Sequence, residues 1–244
     1  MESASKPNLG RDAESAGVTA LFRQAALHGR NTLNAAELGV LLSALGIGLD
    51  ASGPPGGKTS SSAELRFSLN NTREFGMVIS AGVGGLDAEL DERNFRKDRA
   101  SVYAAVELTD PEDFLCLFRR TLAYQKLAAS AASEFLPPPD EMLKACFERM
   151  LALGGAFAPG NPAAPFVLNS LDVNPVYPGA QAAASFNARA ARCEFGKPAA
   201  PRLSRPIHKI DKLIHPASIG IIGVSASGMN FGRIILRNLV GSGY

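Results

Sequence analysis

The stretch from Ser218 to Tyr244, SIGIIGVSASGMNFGRIILRNLVGSGY, decides how this chain is read. Ser218–Val224 (SIGIIGV) is a compact apolar run, which predicts a buried parallel strand. A turn rich in glycine and serine follows, GVSASGMNFG from Gly223 to Gly232, and then a helix from about Asn230 to Val240. Glycine at such a turn lets the backbone approach a phosphate with no Cβ in the way. The free N–H groups of the helix N-terminus, with the macrodipole, then hold the anion. Ser225, Ser227 and Asn230 add side-chain donors. The spacing departs from the G-x-G-x-x-G fingerprint, because Ser225 stands where its second glycine falls. Two readings stay open: a seat for a phosphate or nucleotide, or an ordinary glycine-containing turn.

Working upstream, residues 180–205 are rich in alanine and basic side chains and carry no clear period. Before them, Phe166–Val173 predicts a strand ending at Asn174-Pro175. Side chains alternate on a strand, so Asp172 and Asn174 share a face and offer a carboxylate and an amide oxygen to one point. Both are hard ligands suited to Mg²⁺ beside a nucleotide phosphate, although Asn-Pro at a strand end also reads as a plain turn. Helices are expected from Asp140, after the Pro137–Pro139 break, and from Thr109 or Asp110, with Phe114, Leu117, Phe118 and Leu122 turned inward. Leu65, Phe67 and Leu69 alternate with Glu64, Arg66 and Ser68, a half-buried strand. An Asn70-Asn71 turn then leads to a second strand, Met77–Ala81, and the glycines Gly82, Gly84 and Gly85. Nearer the start, Asn34 and Glu37 form a capping box ahead of a Leu38, Leu41, Leu42, Leu45 stripe, and a helix over 13–28 precedes it.

Composition narrows the function. In 244 residues, 25 Lys+Arg against 23 Asp+Glu leave a net charge of +2, which argues against electrostatic capture of nucleic acid or an anionic membrane. Cys116, Cys146 and Cys193 lie far apart with no C-x-x-C, so neither a disulfide framework nor a zinc site is expected. No apolar run approaches the ~20 residues that span a bilayer, and MESASKPNLGRDAESAG lacks a secretory h-region. A cytoplasmic setting is the expectation. Glycine (24) and proline (16) imply many turns, against an all-helical bundle. GKTSSS at 57–62 fails the phosphate-loop spacing and reads as linker. His28, His208 and His215 have no carboxylate or cysteine at ligand spacing, and the run Arg93, Arg96, Lys97, Arg99 reads as a solvated face.

Together, IDKLIHPASIGIIGVSASGMNFGRIILRNLVGSGY, NTLNAAELGVLLSALGI, TREFGMVISAGVGGLDAEL and FVLNSLDVNP resemble the NDP-forming acyl-CoA synthetases, relatives of succinyl-CoA synthetase. The first is similar to the opening of the CoA-binding domain and the others to the ATP-grasp domain that precedes it. The resemblance implies an α/β fold: an ATP-grasp-like α+β portion followed by the first βα unit of a Rossmann-like CoA-binding domain. The residues themselves read as a disordered tail over 1–12, a helical segment over 13–50 and a linker over 51–63, and the resemblance adds a partial ATP-grasp-like domain over 64–200 and a truncated CoA-binding domain over 201–244.

Its reaction interconverts acyl-CoA with carboxylate and CoA, coupled to ATP, ADP and phosphate through an acyl phosphate and a phosphohistidine. CoA, ATP and Mg²⁺ are the implied cofactors. By position Gly223, Ser225, Ser227, Asn230 and Gly232 would bind CoA phosphates, and Asn174 with Asp172 would hold Mg²⁺. Gly82, Gly84 and Gly85 would serve close packing or ligand contact.

The departures are specific. The linker 51–63 stands where the family's nucleotide-holding lysine lobe belongs. The second acidic metal ligand falls near Asn187 or Ala190. No histidine lies in a phosphohistidine context. Phosphoryl transfer depends on positioning and charge neutralisation, so no catalytic residue is assigned. The chain is expected to be a partial ligase, inactive alone and completed by another chain or domain, with exposed apolar surface at Ile234, Ile235, Leu236 and Leu239. A non-catalytic CoA- or nucleotide-binding subunit is the alternative, and a ligand-free α/β domain is the third reading.

Overall fold

Two antiparallel strand pairings, each apolar on one face and polar on the other, build the centre of the protein. The computed structural model describes residues 9–49, 64–85, 97–133, 139–177, 186–198 and 210–243. In chain order these form α1 (Leu9–Leu27), α2 (Ala35–Ala44), β1 (Ile47–Leu49), β2 (Leu65–Thr72), β3 (Gly76–Val83), α3 (Lys97–Ala100) and β4 (Ser101–Ala105). Then follow α4 (Pro111–Phe118), α5 (Leu122–Ser133), α6 (Asp140–Ala156), β5 (Val167–Val176), β6 (Phe186–Gly196), α7 (Ile210–Ile214) and α8 (Phe231–Gly241). Contacts divide the chain into two compact units, Met1–Ala199 and Ala200–Tyr244.

The first unit is mixed α/β around one six-stranded sheet of order β1-β6-β5-β2-β3-β4. β1 runs parallel to β6 and the other neighbours are antiparallel. Leu65, Phe67 and Leu69 are fully buried on one face of β2, while Arg66 between them is exposed. Phe67 lies edge-on to Phe118 of α4, Phe147 of α6 and Phe186 of β6 at 5.2–6.1 Å. At the other end Phe22 of α1 stacks on Phe195 of β6 at 4.4 Å. The described helices that meet these rings therefore lie over the apolar face; on the polar face Arg66 is exposed and Ser68 is buried.

Several local expectations change. Asn70 and Asn71 lie inside β2, paired with Val78 and Met77. The turn falls at 73–75, where Thr72 Oγ1 accepts from Phe75 N and Gly76 takes the left-handed conformation. Asn174-Pro175 does not end its strand. β5 runs on to Val176, with a register shift at that pair where proline has no N–H to donate. The unpatterned stretch 180–205 holds β6, whose alternation breaks where Arg189 is left unmatched between Ala188 and Ala190. Leu122 starts α5 rather than continuing α4, because buried Thr121 donates to Phe118 O and accepts from Tyr124 N. α1 starts at Leu9, inside the stretch expected as tail. The linker 51–63, with GKTSSS, and Arg93, Arg96, Pro137, Pro138 and His208 lie outside the described residues.

The glycines after β3 serve packing. The Gly84 amide donates to Glu64 O at 2.9 Å, and a Cβ on Gly84 would overlap the Leu65 carbonyl. Backbone cannot yield as a flexible side chain does, so Gly84→Ala is expected to destabilise the protein by about 1–3 kcal/mol, read from urea unfolding. Parent-like stability would contradict this.

The expected cap at Asn34 is present. Its side chain accepts from Glu37 N at 3.0 Å, and Glu37 Oε2 accepts from Asn34 N at 2.8 Å. Arg30 grips the same carboxylate at 2.7 and 2.8 Å. That guanidinium holds the Glu37 carboxyl well down, from 4.5 to about 2. A lowered folded-state pKa contributes stability that is full above about 4.5 and is lost as pH falls toward 2. Glu37→Gln is expected to lower stability at neutral pH and flatten the decline between those values, followed as the urea midpoint against pH. An unchanged acid slope would contradict the assignment.

Candidate functional site

The polar face of the sheet collects its side chains by register alone. Asp172 on β5 lies opposite Ser68 on β2 and Arg192 on β6, and Ser68 lies opposite Ser80, which lies opposite Tyr103. Ser68 and Ser80 share a hydrogen bond of 2.6 Å, and Asn70 donates to Ser68 Oγ at 2.9 Å. Asn174, two residues from Asp172 and half-buried like it, stands on the same face opposite Ala190. Asp172 and Asn174 thus share one face of β5, as side chains two residues apart on a strand do.

Charge on this face is answered locally. Arg66 donates to Asp172 Oδ1 at 2.9 Å, Arg192 pairs with Glu194, and Arg189 pairs with Glu64. The Arg66–Asp172 pair is wet, with side chains 58% and 32% exposed. Such a pair contributes at most about 1 kcal/mol. Asp172 is therefore readily released to a competing cation. One carboxylate and one amide oxygen fit the protein's share of a Mg²⁺ site, because Mg²⁺ takes one or two carboxylates and leaves its other positions to water and phosphate. Neither position at which the resemblance places a second acidic ligand carries an acid. Ala190 is the residue opposite Asn174, and Asn187 lies opposite Val176 beside Gly48. Among the described residues no group of three or more His, Cys, Asp and Glu side chains is placed to hold a metal.

In the second unit the expected strand Ser218–Val224 does not form. Ile222 is fully exposed and Ile219 nearly half so. A strand needs hydrogen-bonded neighbours, and the described residues of this unit contain no other strand to supply them. The turn and helix do form. Asn230 caps α8, its Oδ1 accepting from Arg233 N at 2.9 Å and Ser225 N at 3.4 Å. Its Nδ2 donates to Gly223 O at 2.7 Å, and Gly228 N donates to Ser225 Oγ. A Cβ on Gly232 would stand 2.9 Å from the Gly223 carbonyl, so this turn closes against the helix only with glycine there. Gly223, Ser225, Asn230 and Gly232 are thus brought into one folded turn, with two of its amides already bonded within it. Ser227 makes no bond inside that turn. Ile234, Ile235 and Leu236 are 41–50% exposed and Leu239 is half-buried.

No family model matches the sequence, and no curated protein matches it. Solved structures do. A dinucleotide-forming acetyl-coenzyme A synthetase 1 of Candidatus Korarchaeum cryptofilum, solved with coenzyme A and Mg-AMPPCP, matches at 17% identity and TM-score 0.51. The match covers 72% of this chain and 99% of that one. The same synthetase in complex with coenzyme A matches at 17% identity and TM-score 0.50, over 73% and 99%. A protein of Pyrococcus horikoshii matches at 12% identity and TM-score 0.55, over 75% and 99%. The fold is shared with these chains.

Within that shared fold, Arg66, Ser68, Asn70 and Ser80 join Asp172 and Asn174 on the polar face. The alternation of β2 carried the signal for Arg66 and Ser68. Arg192 and Glu194 gave none, because β6 was not legible. The remaining expected sites are plain. Cys146 and Cys193 are buried, and burial pushes both thiols up to about 12. Exposed His28 bonds to Gln24 O and exposed His215 to Asp211.

The Asn230 contacts make a local test. Asn230→Ala removes the α8 cap, and loss of such a cap costs about 1 kcal/mol of helix stability. Amide exchange at Ser225 and Arg233 is expected to speed up, while amides of the first unit stay at parent rates. Unchanged exchange at those two amides would contradict the cap's role.

Proposed function

We propose that this chain is a partial acyl-CoA synthetase of the NDP-forming type, which binds CoA and Mg-nucleotide and does not complete the ligase reaction alone. The carrying observation is the polar face of the six-stranded sheet, with Asp172 and Asn174 side by side, in a fold shared with chains solved with coenzyme A and Mg-AMPPCP. In this reading residues 64–200 are ATP-grasp-like and 201–244 begin a Rossmann-like CoA-binding domain. The setting is the cytoplasm. Among the described residues no helix is long and apolar enough to cross a membrane.

Mg²⁺, when bound, neutralises charge on the nucleotide phosphates. Asp172 and Asn174 would hold the cation through their side-chain oxygens. Arg66, now paired with Asp172, would pair with a phosphate oxygen, a charge-assisted contact. Ser68, Ser80 and Asn70 hold the floor beneath them through their mutual hydrogen bonds. In the second unit Gly223, Ser225, Ser227, Asn230 and Gly232 would hold CoA phosphates at the N-terminus of α8, where Phe231 and Gly232 present the first two helix amides. A complementary chain or domain supplies the groups for phosphoryl and acyl transfer.

Thermal unfolding with Mg-ATP, with CoA and with both tests this. A ligand at 100 times its dissociation constant adds about 2.7 kcal/mol, roughly 5–10 °C for a domain of this size. ATP is expected to raise Tm only with Mg²⁺ present, and Asp172→Ala to abolish that rise. No shift with either ligand would overturn the reading. A shift with CoA alone would remove the nucleotide half.

A further inference from the structure

Helices α1, α2 and α6, on the covered side of the sheet, enclose a second feature that the nucleotide and CoA readings leave unused. It is a cleft of about 420 Å³, within the range of small-molecule sites. Its walls are Val18 of α1, Leu41 of α2, Leu45, Leu151 and Leu153 of α6, and Phe157. All six are apolar and buried, and Ser15 and Asn161 also line the cleft.

One charge stands at this cleft. Arg149 lines it from α6 and donates Nη1–H to the Leu45 carbonyl at 3.4 Å. Its seat is made by the residue after Leu45. Gly46 has φ +73°, and a Cβ there would overlap the guanidinium. Among the described residues no carboxylate pairs with Arg149. Elsewhere in this unit arginines near acids are paired: Arg30 with Glu37, Arg66 with Asp172, Arg119 with Asp140 and Arg189 with Glu64.

We propose that this cleft binds a small carboxylate with an apolar body. Arg149 grips the carboxylate with its two-pronged fork and the aliphatic and aromatic walls take the chain. A guanidinium suits a planar carboxylate better than a point charge would, and burying the chain against leucine and phenylalanine supplies most of the affinity. The site is separate from the polar face of the sheet, so it would act on the protein from behind that face.

Octanoate, octan-1-ol and octylammonium serve as probes in calorimetric titrations of the full chain. Octanoate is expected to bind at least tenfold tighter than octan-1-ol, and octylammonium not to bind. Arg149→Met, a change at an exposed side chain, is expected to remove the preference for octanoate over octan-1-ol and leave the alcohol unaffected. Gly155 lines the mouth from the last turn of α6, where an added side chain meets open space. Gly155→Leu is expected to abolish binding of both probes without lowering Tm. Equal affinity for acid and alcohol, an unaltered octanoate affinity in Arg149→Met, or no binding of octanoate at millimolar concentration would each overturn the proposal. Mg-ATP and CoA titrations of the same two variants are expected to match the parent, which keeps this test apart from the ligase reading.

Discussion

Burial of Phe67 on β2 is the constraint from which the rest follows. The ring sits in the middle of the sheet and meets α4, α6 and β6 edge-on. A strand alternates its side chains, so fixing Phe67 and Leu69 under the helices fixes Arg66, Ser68 and Asn70 on the other side. The same logic on β5 buries Leu171 and Val173 and sends Asp172 and Asn174 outward. A slip of one residue in either strand would bury a charge and expose a phenylalanine or leucine, an error the packing does not tolerate. The polar face thus inherits its order from the apolar one.

What that face can do depends on how weakly its charges are held. Each ion pair there is at least partly exposed, and exposed pairs contribute little. The arrangement is stable enough to place the groups and loose enough to let an incoming cation or phosphate replace a partner. The Arg30–Glu37 contact is different in kind. Its carboxylate is nearly buried and also closes the capping box of α2, so it holds helix to chain instead of waiting for a ligand.

Legibility in the sequence followed regularity. β2, β3, the α2 cap and the shared face of Asp172 and Asn174 were readable because period and capping chemistry agree there. β6 was not, because an unmatched Arg189 shifts the phase between Ala188 and Cys193 and alanine fills the positions that would mark a face. The Asn70-Asn71 pair looked like a turn, yet pairing with β3 carries the strand past it to Thr72. Ser218–Val224 misled in the opposite way. Its apolar content fits a buried strand, but the described residues of its unit hold no other strand to pair with it, and Ile222 is exposed. The turn behind it was legible through Asn230, a cap whose chemistry is local.

The central claim is that nucleotide lies across the polar face of the sheet. Photolabelling with Mg-8-azido-ATP, followed by peptide mapping, addresses it directly. The account predicts label within β2, β3 or β5, suppressed by excess Mg-ATP. Specific label confined to α1, α2 and α6, on the far side of the sheet, would contradict it.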